Sequence, residues 1–263
     1  MGLLGRNSAL GLQTSFCFKS DFCMINLEKA GFTLEQVKEF WDSVAGIYEK
    51  ENAKVHAIHN QRFTEAVKHL QMTAPSKLLN IWSRDGGAIP YLYQTHSGVK
   101  IVHCELSPMM IAAARKRYPE ETFIECSLHR LPFPGGSFDA VLSLETLEHV
   151  PEPQTFLSEI NRVLKKGGQL VMSLPPARAE ILLKIYGLFF GGHGEGPHRF
   201  LASREVKSLL SQTGFKLLLH KPTVYLPLIN KYLNQINKFL EDHITISFLQ
   251  EFAIRQFYIC RKD

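Results

Sequence analysis

The sequence is short of the features that mark several protein classes. No uninterrupted apolar run reaches the roughly 18–20 residues that a membrane-crossing helix needs. The longest candidate, ILLKIYGLFF (181–190), is too short and carries Lys184. No transmembrane segment is therefore expected. Lys and Arg number 30 and acids 25, a net charge of +5, with no basic block and no basic–aromatic stripe. A nucleic-acid partner is not expected from such a mild excess. Cysteine is scarce: the five residues are odd in number and include no CxxC pair. Cys104 and Cys126, at the ends of strand-like runs, read as buried reduced thiols, which places the chain in a reducing, cytoplasmic setting. The N-terminus has no acid before Asp21, but it offers only Arg6 and Lys19 as bases. Its apolar run is too broken for a secretion signal, and Arg6 breaks a myristoylation pattern. Residues 1–32 read as a disordered leader rather than an organelle presequence, with Met24 a candidate start.

What is present is an ordinary globular composition, 45% hydrophobic and 21% charged, enough for a sizeable core. TLEQ (33–36) is a capping box, and Leu34, Val37, Phe40, Trp41 and Val44 follow at helical spacing. A second helical run covers about residues 53–70. From Lys77 short β-branched runs alternate with helical ones, the pattern of βαβ units around a parallel sheet. The strands are KLLNIW (77–82), VKIVHC (99–104), TFIEC (122–126), FDAVLSL (138–144), GGQLVMSL (167–174), GFKLLLHKP (214–222) and the closing FAIRQFYICRKD. Ser107 with Pro108 opens the helix after the second strand, and helix 153–164 starts at Pro153. After Pro175-Pro176 an apolar helix (177–190) and a glycine–histidine loop, GGHGEGPHRF (191–200), precede a helix starting at Ser203.

In an open α/β sheet, ligands bind beyond the carboxyl ends of the strands, where strand order reverses. The loop after the first strand, SRDGG (83–87), and Glu105, directly after the second, are the first suspects. A carboxylate placed there can accept both hydroxyls of a ribose.

The middle of the chain is more specific. LPFPGGSFDAVLS, ETLEHVPEP and EINRVLKKGGQLVMSLP, followed by HRFLASREVKSLLSQTGFKLL, resemble the class I S-adenosylmethionine-dependent methyltransferases. The likeness is strongest to the small-molecule subgroup that includes the ubiquinone and menaquinone pathway enzymes, and it covers about residues 38–220. It implies an α/β fold: a Rossmann-like, doubly wound sheet of seven strands with the last antiparallel, N-terminal helices, and a helical insert on the substrate side. Residues 33–263 would form one domain, with 33–75 a helical cover, 76–175 the cofactor-binding half and 176–263 the substrate-side half. It further implies S-adenosyl-L-methionine as cofactor and a small acceptor, apolar or phenolic, methylated on oxygen or carbon. Glu105 falls on the ribose-holding acid, Ser127 and Leu128 on the adenine bracket, and Leu144 beside the methyl donor.

Two departures stand out. Ser127 stands where the family commonly has Asp, and hydrogen-bonds an amine more weakly than a carboxylate would. In the first loop, where the family runs acid, apolar residue, then alternate glycines, this chain has Asn80, Ile81, Trp82, Arg84 and Gly86. An indole and a guanidinium fill space that glycine leaves open. Three outcomes stay open: a loop that binds through Asp85, Gly86 and Gly87, with Asp85 supplying the lost charge; weakened binding; or a methyltransferase-like scaffold that binds no cofactor.

ETLEH sets Glu145, Glu148 and His149 at i, i+3 and i+4, which on a helix share a face. Such a set suits Mg²⁺ or Mn²⁺, and it resembles the metal element of ubiquinone-pathway O-methyltransferases and small-RNA 2′-O-methyltransferases. Without a metal, His149 is the candidate general base, with Glu145 beside it. His193 lies in a loop that is either a mobile lid or a solvent-exposed loop with no role, and a structural hydrogen bond is expected at His198 and Arg199. ILLKIYGLFF could cover an apolar acceptor, touch a membrane surface, or simply pack. The sequence leaves the oligomeric state open.

Overall fold

The computed structural model describes residues 31–54, 56–180, 196–226 and 231–263. The expected leader, the apolar run at 181–190 and His193 lie outside the described residues.

Three helices come first: α1 (Leu34–Val44), α2 (Tyr48–Lys54) and α3 (His56–His69). The capping box forms as expected: Thr33 Oγ1 accepts the Gln36 N–H at 3.3 Å, and the Gln36 carbonyl oxygen accepts the Thr33 N–H at 2.8 Å. The apolar stripe of α1 then buries Val37, Trp41 and Val44. The chain continues through β1 (Lys77–Ile81), α4 (Ile89–Thr95), β2 (Lys100–Glu105), α5 (Pro108–Arg117), β3 (Phe123–Glu125), β4 (Phe138–Leu144), α6 (Pro153–Val163) and β5 (Leu164–Leu174). It closes with α7 (Ser203–Gln212), β6 (Phe215–Thr223), α8 (Lys231–His243), α9 (Ser247–Gln250) and β7 (Arg255–Lys262). Ser107 caps α5 through the Met110 N–H at 3.0 Å, with Pro108 in the first turn.

The seven strands form one sheet in the order β3-β2-β1-β4-β5-β7-β6. The first five are parallel, and β7 lies antiparallel between β5 and β6. Because strand residues alternate faces, one strand feeds two cores. Leu79, Ile81, Val102 and Met172 pack with Trp41 and Phe156 on one side; Leu78, Ile101, Leu142 and Val171 pack with Ala66 and Leu92 on the other. Burial on both faces explains why β1 and β4 read as near-continuous apolar runs.

One expectation is corrected. Cys104, at the end of β2, is joined to Cys126, just beyond β3, by a disulfide with Cα atoms 5.9 Å apart. The β2–β3 register sets Cys104 beside Ile124, which brings the two cysteines together across the ladder. A spacing of 22 residues in a chain with an odd cysteine count gave no sign of this, and the thiol argument for a reducing compartment falls with it. Cys260 is the free cysteine among the described residues, and burial raises its thiol pKa to about 12.

Candidate functional site

From β1 the chain moves outward through β2 to β3, then returns to lay β4 on the other side of β1. The crevice beyond β1 and β4 is therefore the point where strand order reverses, and a ligand belongs there. The loop leaving β1 takes left-handed backbone at Trp82 (φ 53°), Arg84 (φ 53°) and Gly86 (φ 84°). These are alternate positions, the spacing at which the family uses glycine. The backbone is left-handed at all three although two of the residues are bulky, at a cost of about 1 kcal/mol or more for each. Gly86 has a further reason to be glycine, since a Cβ there would stand 2.8 Å from the Tyr118 ring.

Glu105 holds this loop. Its Oε2 accepts the Arg84 N–H at 2.7 Å, and its Oε1 accepts the Leu106 and Ser107 N–H groups at 2.9 and 3.0 Å. The carboxylate is fully buried. Burial raises its pKa, while Arg84 and the three amides work against that rise. Three of its roughly four acceptor sites are used, leaving one.

The Arg84 side chain crosses the crevice. Its Nη2 donates to the Glu145 carbonyl, just past β4, at 3.4 Å. Its guanidinium carbon lies 3.6 Å from the Trp41 ring centroid and 3.8 Å from that of Trp82. The two indoles stand nearly perpendicular (82°), so the cation is wedged in the angle between them. Arg84 is 7% exposed, and burial lowers its pKa. Nη1 has no hydrogen-bond partner, and among the described residues the guanidinium forms no ion pair. What remains of the crevice is a cavity of about 20 Å³, room for a single water. Its walls include Asn80, Trp82, Arg84, Asp85, Leu144 and Arg62.

Asn80, Asp85 and Leu144 are thus brought together as the sequence suggests. Asn80, however, also bonds to His103 Nδ1 at 3.1 Å, and Asp85 pairs with Arg117 at 3.3 Å. Burial raises the Asp85 pKa against the pull of Arg117. Glu105 and the start of the Ser127 turn are adjacent, since Cys126 N–H donates to the Glu105 carbonyl. Ser127 is exposed and its Oγ accepts the His129 N–H at 3.3 Å, while Leu128 is buried in the core.

The metal expectation is corrected. Glu145, Glu148 and His149 do not share a helical face, because β4 ends at Leu144 and only Leu147–His149 form a helical turn, of 3-10 type. Glu145 is left-handed (φ 50°), and its Oε1 accepts from Ser173 Oγ at 2.7 Å and Arg255 Nε at 2.9 Å. Glu148 and His149 are buried, with His149 Nε2 4.0 Å from the Glu148 carboxylate. Among the described residues no group of three His, Cys, Asp or Glu is arranged to hold a metal ion.

His149 donates its Nδ1–H to the Pro197 carbonyl at 2.8 Å, which leaves Nε2 as an acceptor in the neutral ring. Burial, with the positive charge of Arg84, holds its pKa well below the ordinary value. The ring centroid is 5.6 Å from that of Trp41 and 5.1 Å from that of Trp82. His198 makes the expected structural bond, Nδ1 to the Gly196 carbonyl at 2.8 Å, and Arg199 N–H donates to the Glu148 carbonyl at 2.7 Å.

Sequence reasoning missed three contributors. Trp41 read only as a core position of α1, and Arg62 only as part of a helical run. Arg255 had no signal at all: its partners Glu145 and Gln61 are 110 and 194 residues away.

Comparison with known proteins bears on this geometry. Residues 83–172 match the family model described as "Methyltransferase domain". The chain is 31% identical over 140 residues to the demethylmenaquinone methyltransferase of Tropheryma whipplei (strain Twist), over 52% of this chain and 58% of that protein. It therefore spans little more than half the length of that relative. It is 27% identical over 212 residues to the ubiquinone/menaquinone biosynthesis C-methyltransferase UbiE of Geobacter sp. (strain M21), covering 71% of this chain and 90% of that one. Among solved structures, a SAM-dependent methyltransferase from Thermotoga maritima superposes with a TM-score of 0.63 at 19% identity, covering 86% of this chain and 99% of that one. Geranyl diphosphate C-methyltransferase from Streptomyces coelicolor A3(2) gives 0.62 at 15% identity, over 89% and 99%. At those identities the likeness is one of fold.

Residues 83–172 match a methyltransferase domain, and the fold around them is similar to that of the solved S-adenosylmethionine-dependent methyltransferase. The chain resembles the class I enzymes, and the relatives it matches include a demethylmenaquinone methyltransferase and a ubiquinone/menaquinone C-methyltransferase. Whether its residues fit the class cofactor is a matter of the crevice. The acid after β2 and the left-handed loop backbone are built. One side chain stands apart from that fit, the Arg84 guanidinium lying in the space between the strand ends.

Proposed function

We propose that the protein transfers a methyl group from S-adenosyl-L-methionine to oxygen or carbon of a small acceptor, apolar or phenolic. When bound, the cofactor supplies a methyl group activated on a sulfonium. The chain's part is to align the acceptor and receive its proton. Glu105 would hold the ribose through its remaining acceptor site, Ser127 and Leu128 the adenine, and Asn80, Asp85 and Gly86 the methionine end. Leu144 would flank the transferred methyl. His149 Nε2 is the group able to accept a proton, its tautomer set by Pro197. Glu145 acts through its bonds to Ser173 and Arg255, which fix the turn after β4.

The observation that carries this reading is Glu105, standing at the end of β2 beside the switch point within the matched segment. The relatives' names, a demethylmenaquinone methyltransferase and a ubiquinone/menaquinone C-methyltransferase, favour carbon of a quinone-like acceptor. The reading goes with a small-molecule enzyme without a nucleic-acid partner. Among the described residues no helix is long and apolar enough to cross a membrane. A peripheral membrane contact suits an apolar acceptor.

A second reading, a non-catalytic scaffold that binds a partner, is favoured by the guanidinium between Trp41 and Trp82. Calorimetric titration with S-adenosylmethionine and S-adenosylhomocysteine separates the two. Binding in the micromolar range supports the enzyme; no heat at millimolar ligand leaves the scaffold.

A further inference from the structure

Arg84 is placed unusually for a buried cation. Its backbone is anchored to Glu105 at the end of β2, and its head reaches the Glu145 carbonyl at the end of β4. The side chain therefore bridges the mouth of the crevice from one strand end to the other. The backbone is left-handed both at Arg84 and at Trp82, whose ring the guanidinium touches. Strain of that kind at a ligand crevice persists only where the surrounding structure enforces it.

The forces holding the guanidinium differ from those that fix a structural arginine. Arg255, by comparison, donates from Nε to Glu145 and from Nη1 to Gln61. Arg84 has two ring faces, one long hydrogen bond, and an Nη1 with no partner although the residue is more than nine-tenths buried. Aromatic faces attract a cation without fixing its orientation, and a side chain with three sp³ torsions leaves by rotation alone. One wall, Trp41, belongs to α1, whereas the other belongs to the loop itself. An arginine rotating outward would open the space between them.

We infer that Arg84 is a built-in plug of the adenosyl-ligand crevice: its guanidinium occupies the site between Trp41 and Trp82, and ligand and side chain compete for that space. This rests on the cofactor assignment proposed above. It accounts for a loop whose backbone is left-handed at Arg84 while carrying an arginine where glycine is expected. It also gives the chain a threshold that an open crevice lacks, since ligand must displace the cation before it binds.

Trp41 and Trp82 are the two tryptophans of the chain, so intrinsic emission reports on this site alone. Native protein and Arg84→Ala, with Arg84→Lys as a milder second variant, are titrated with S-adenosylhomocysteine by calorimetry and fluorescence. Circular dichroism confirms that each is folded. Affinity is expected to rise at least tenfold in Arg84→Ala, with Arg84→Lys between the two. The native emission should change in step with the binding isotherm as the guanidinium leaves the rings. Equal affinity in native and Arg84→Ala, or tighter binding by native protein, overturns the plug and leaves the cofactor assignment standing. Native binding without a change in emission does the same, and it needs no variant. If neither native protein nor Arg84→Ala binds at millimolar ligand, the cofactor assignment and the plug fall together.

Discussion

The Arg84 N–H donates to Glu105 Oε2 at 2.7 Å, so the acid that ends β2 fixes the loop that leaves β1. That carboxylate is fully buried and collects three backbone donors. Glu105→Gln keeps the shape but turns an amide NH₂ toward N–H groups, leaving a buried donor unsatisfied. A loss of about 2 kcal/mol in unfolding free energy is expected. A drop of at least tenfold in S-adenosylhomocysteine affinity should accompany it. Denaturant unfolding and calorimetry measure the two. Unchanged stability would mean that the loop is anchored elsewhere.

Glu65 ties α3 to the far edge of the sheet. Its carboxylate meets His69 Nε2 at 3.0 Å, Lys68 Nζ at 3.0 Å and Lys221 Nζ, on β6, at 2.5 Å. Burial raises its pKa, but the bonds from His69, Lys221 and Lys68 outweigh that and hold it well below the usual carboxylate range. A carboxylate depressed in the folded state stabilises above its unfolded pKa of about 4.3, and that contribution disappears as pH falls below it. Glu65→Gln should cost about 2 kcal/mol at pH 7 and flatten the loss of stability below pH 4.5. Unfolding curves at a series of pH values decide it; parallel acid limbs in native and variant would contradict the assignment.

Sequence patterns carried the scaffold because its rules are local or periodic. Thr33 and Gln36 are three residues apart, Ser107 and Met110 likewise, and burial on both sheet faces writes β1 and β4 as apolar runs. Asn80, Asp85 and Leu144 meet because strand ends converge at the switch point, which a strand order inferred from resemblance already implies. The conformation of the crevice was not legible. The departure at Trp82 and Arg84 was visible in the sequence, but the backbone beneath it was not, and Trp41 joins Arg84 only through the packing of α1. The ETLEH spacing misled because a helical period was assumed where the chain makes one 3-10 turn after a left-handed residue. The Cys104–Cys126 link depends on strand register, which no cysteine count reveals.

Asn80 stands where the family pattern has an acid, and its amide lies 3.1 Å from His103 Nδ1. His103 is buried, with Glu121 3.3 Å from its other nitrogen. Burial lowers its pKa to about 4, against the opposite pull of Glu121. The folded ring therefore stays neutral while the unfolded chain binds a proton below about pH 6.5, and stability falls as pH drops from there to about 4. Asn80→Asp places a carboxylate against the imidazole and should raise the His103 pKa by at least one unit. An NMR titration of the ring Cε1–H measures it. A midpoint that stays near its native value would show that position 80 does not face His103.

Glu145 and Arg255 pair at 2.9 Å across 110 residues, with Arg255 5% exposed. Burial lowers the arginine pKa and Glu145 opposes that; the carboxylate pKa is itself lowered, Arg255 and Arg62 overcoming its own burial. Removing one member of such a pair strands the other charge in the interior, at a cost of about 3–5 kcal/mol. Glu145→Leu and Arg255→Met should each lose about that much. The double variant should lose less than the sum, because apolar groups replace both charges together. Stability should be unaffected by a chelator in every case, since both lone-pair contacts of Glu145 Oε1 go to Ser173 and Arg255. A double-mutant cycle by denaturant unfolding gives the coupling. Strict additivity, or a chelator-dependent midpoint, would show that Glu145 serves something other than the junction of β4, β5 and β7.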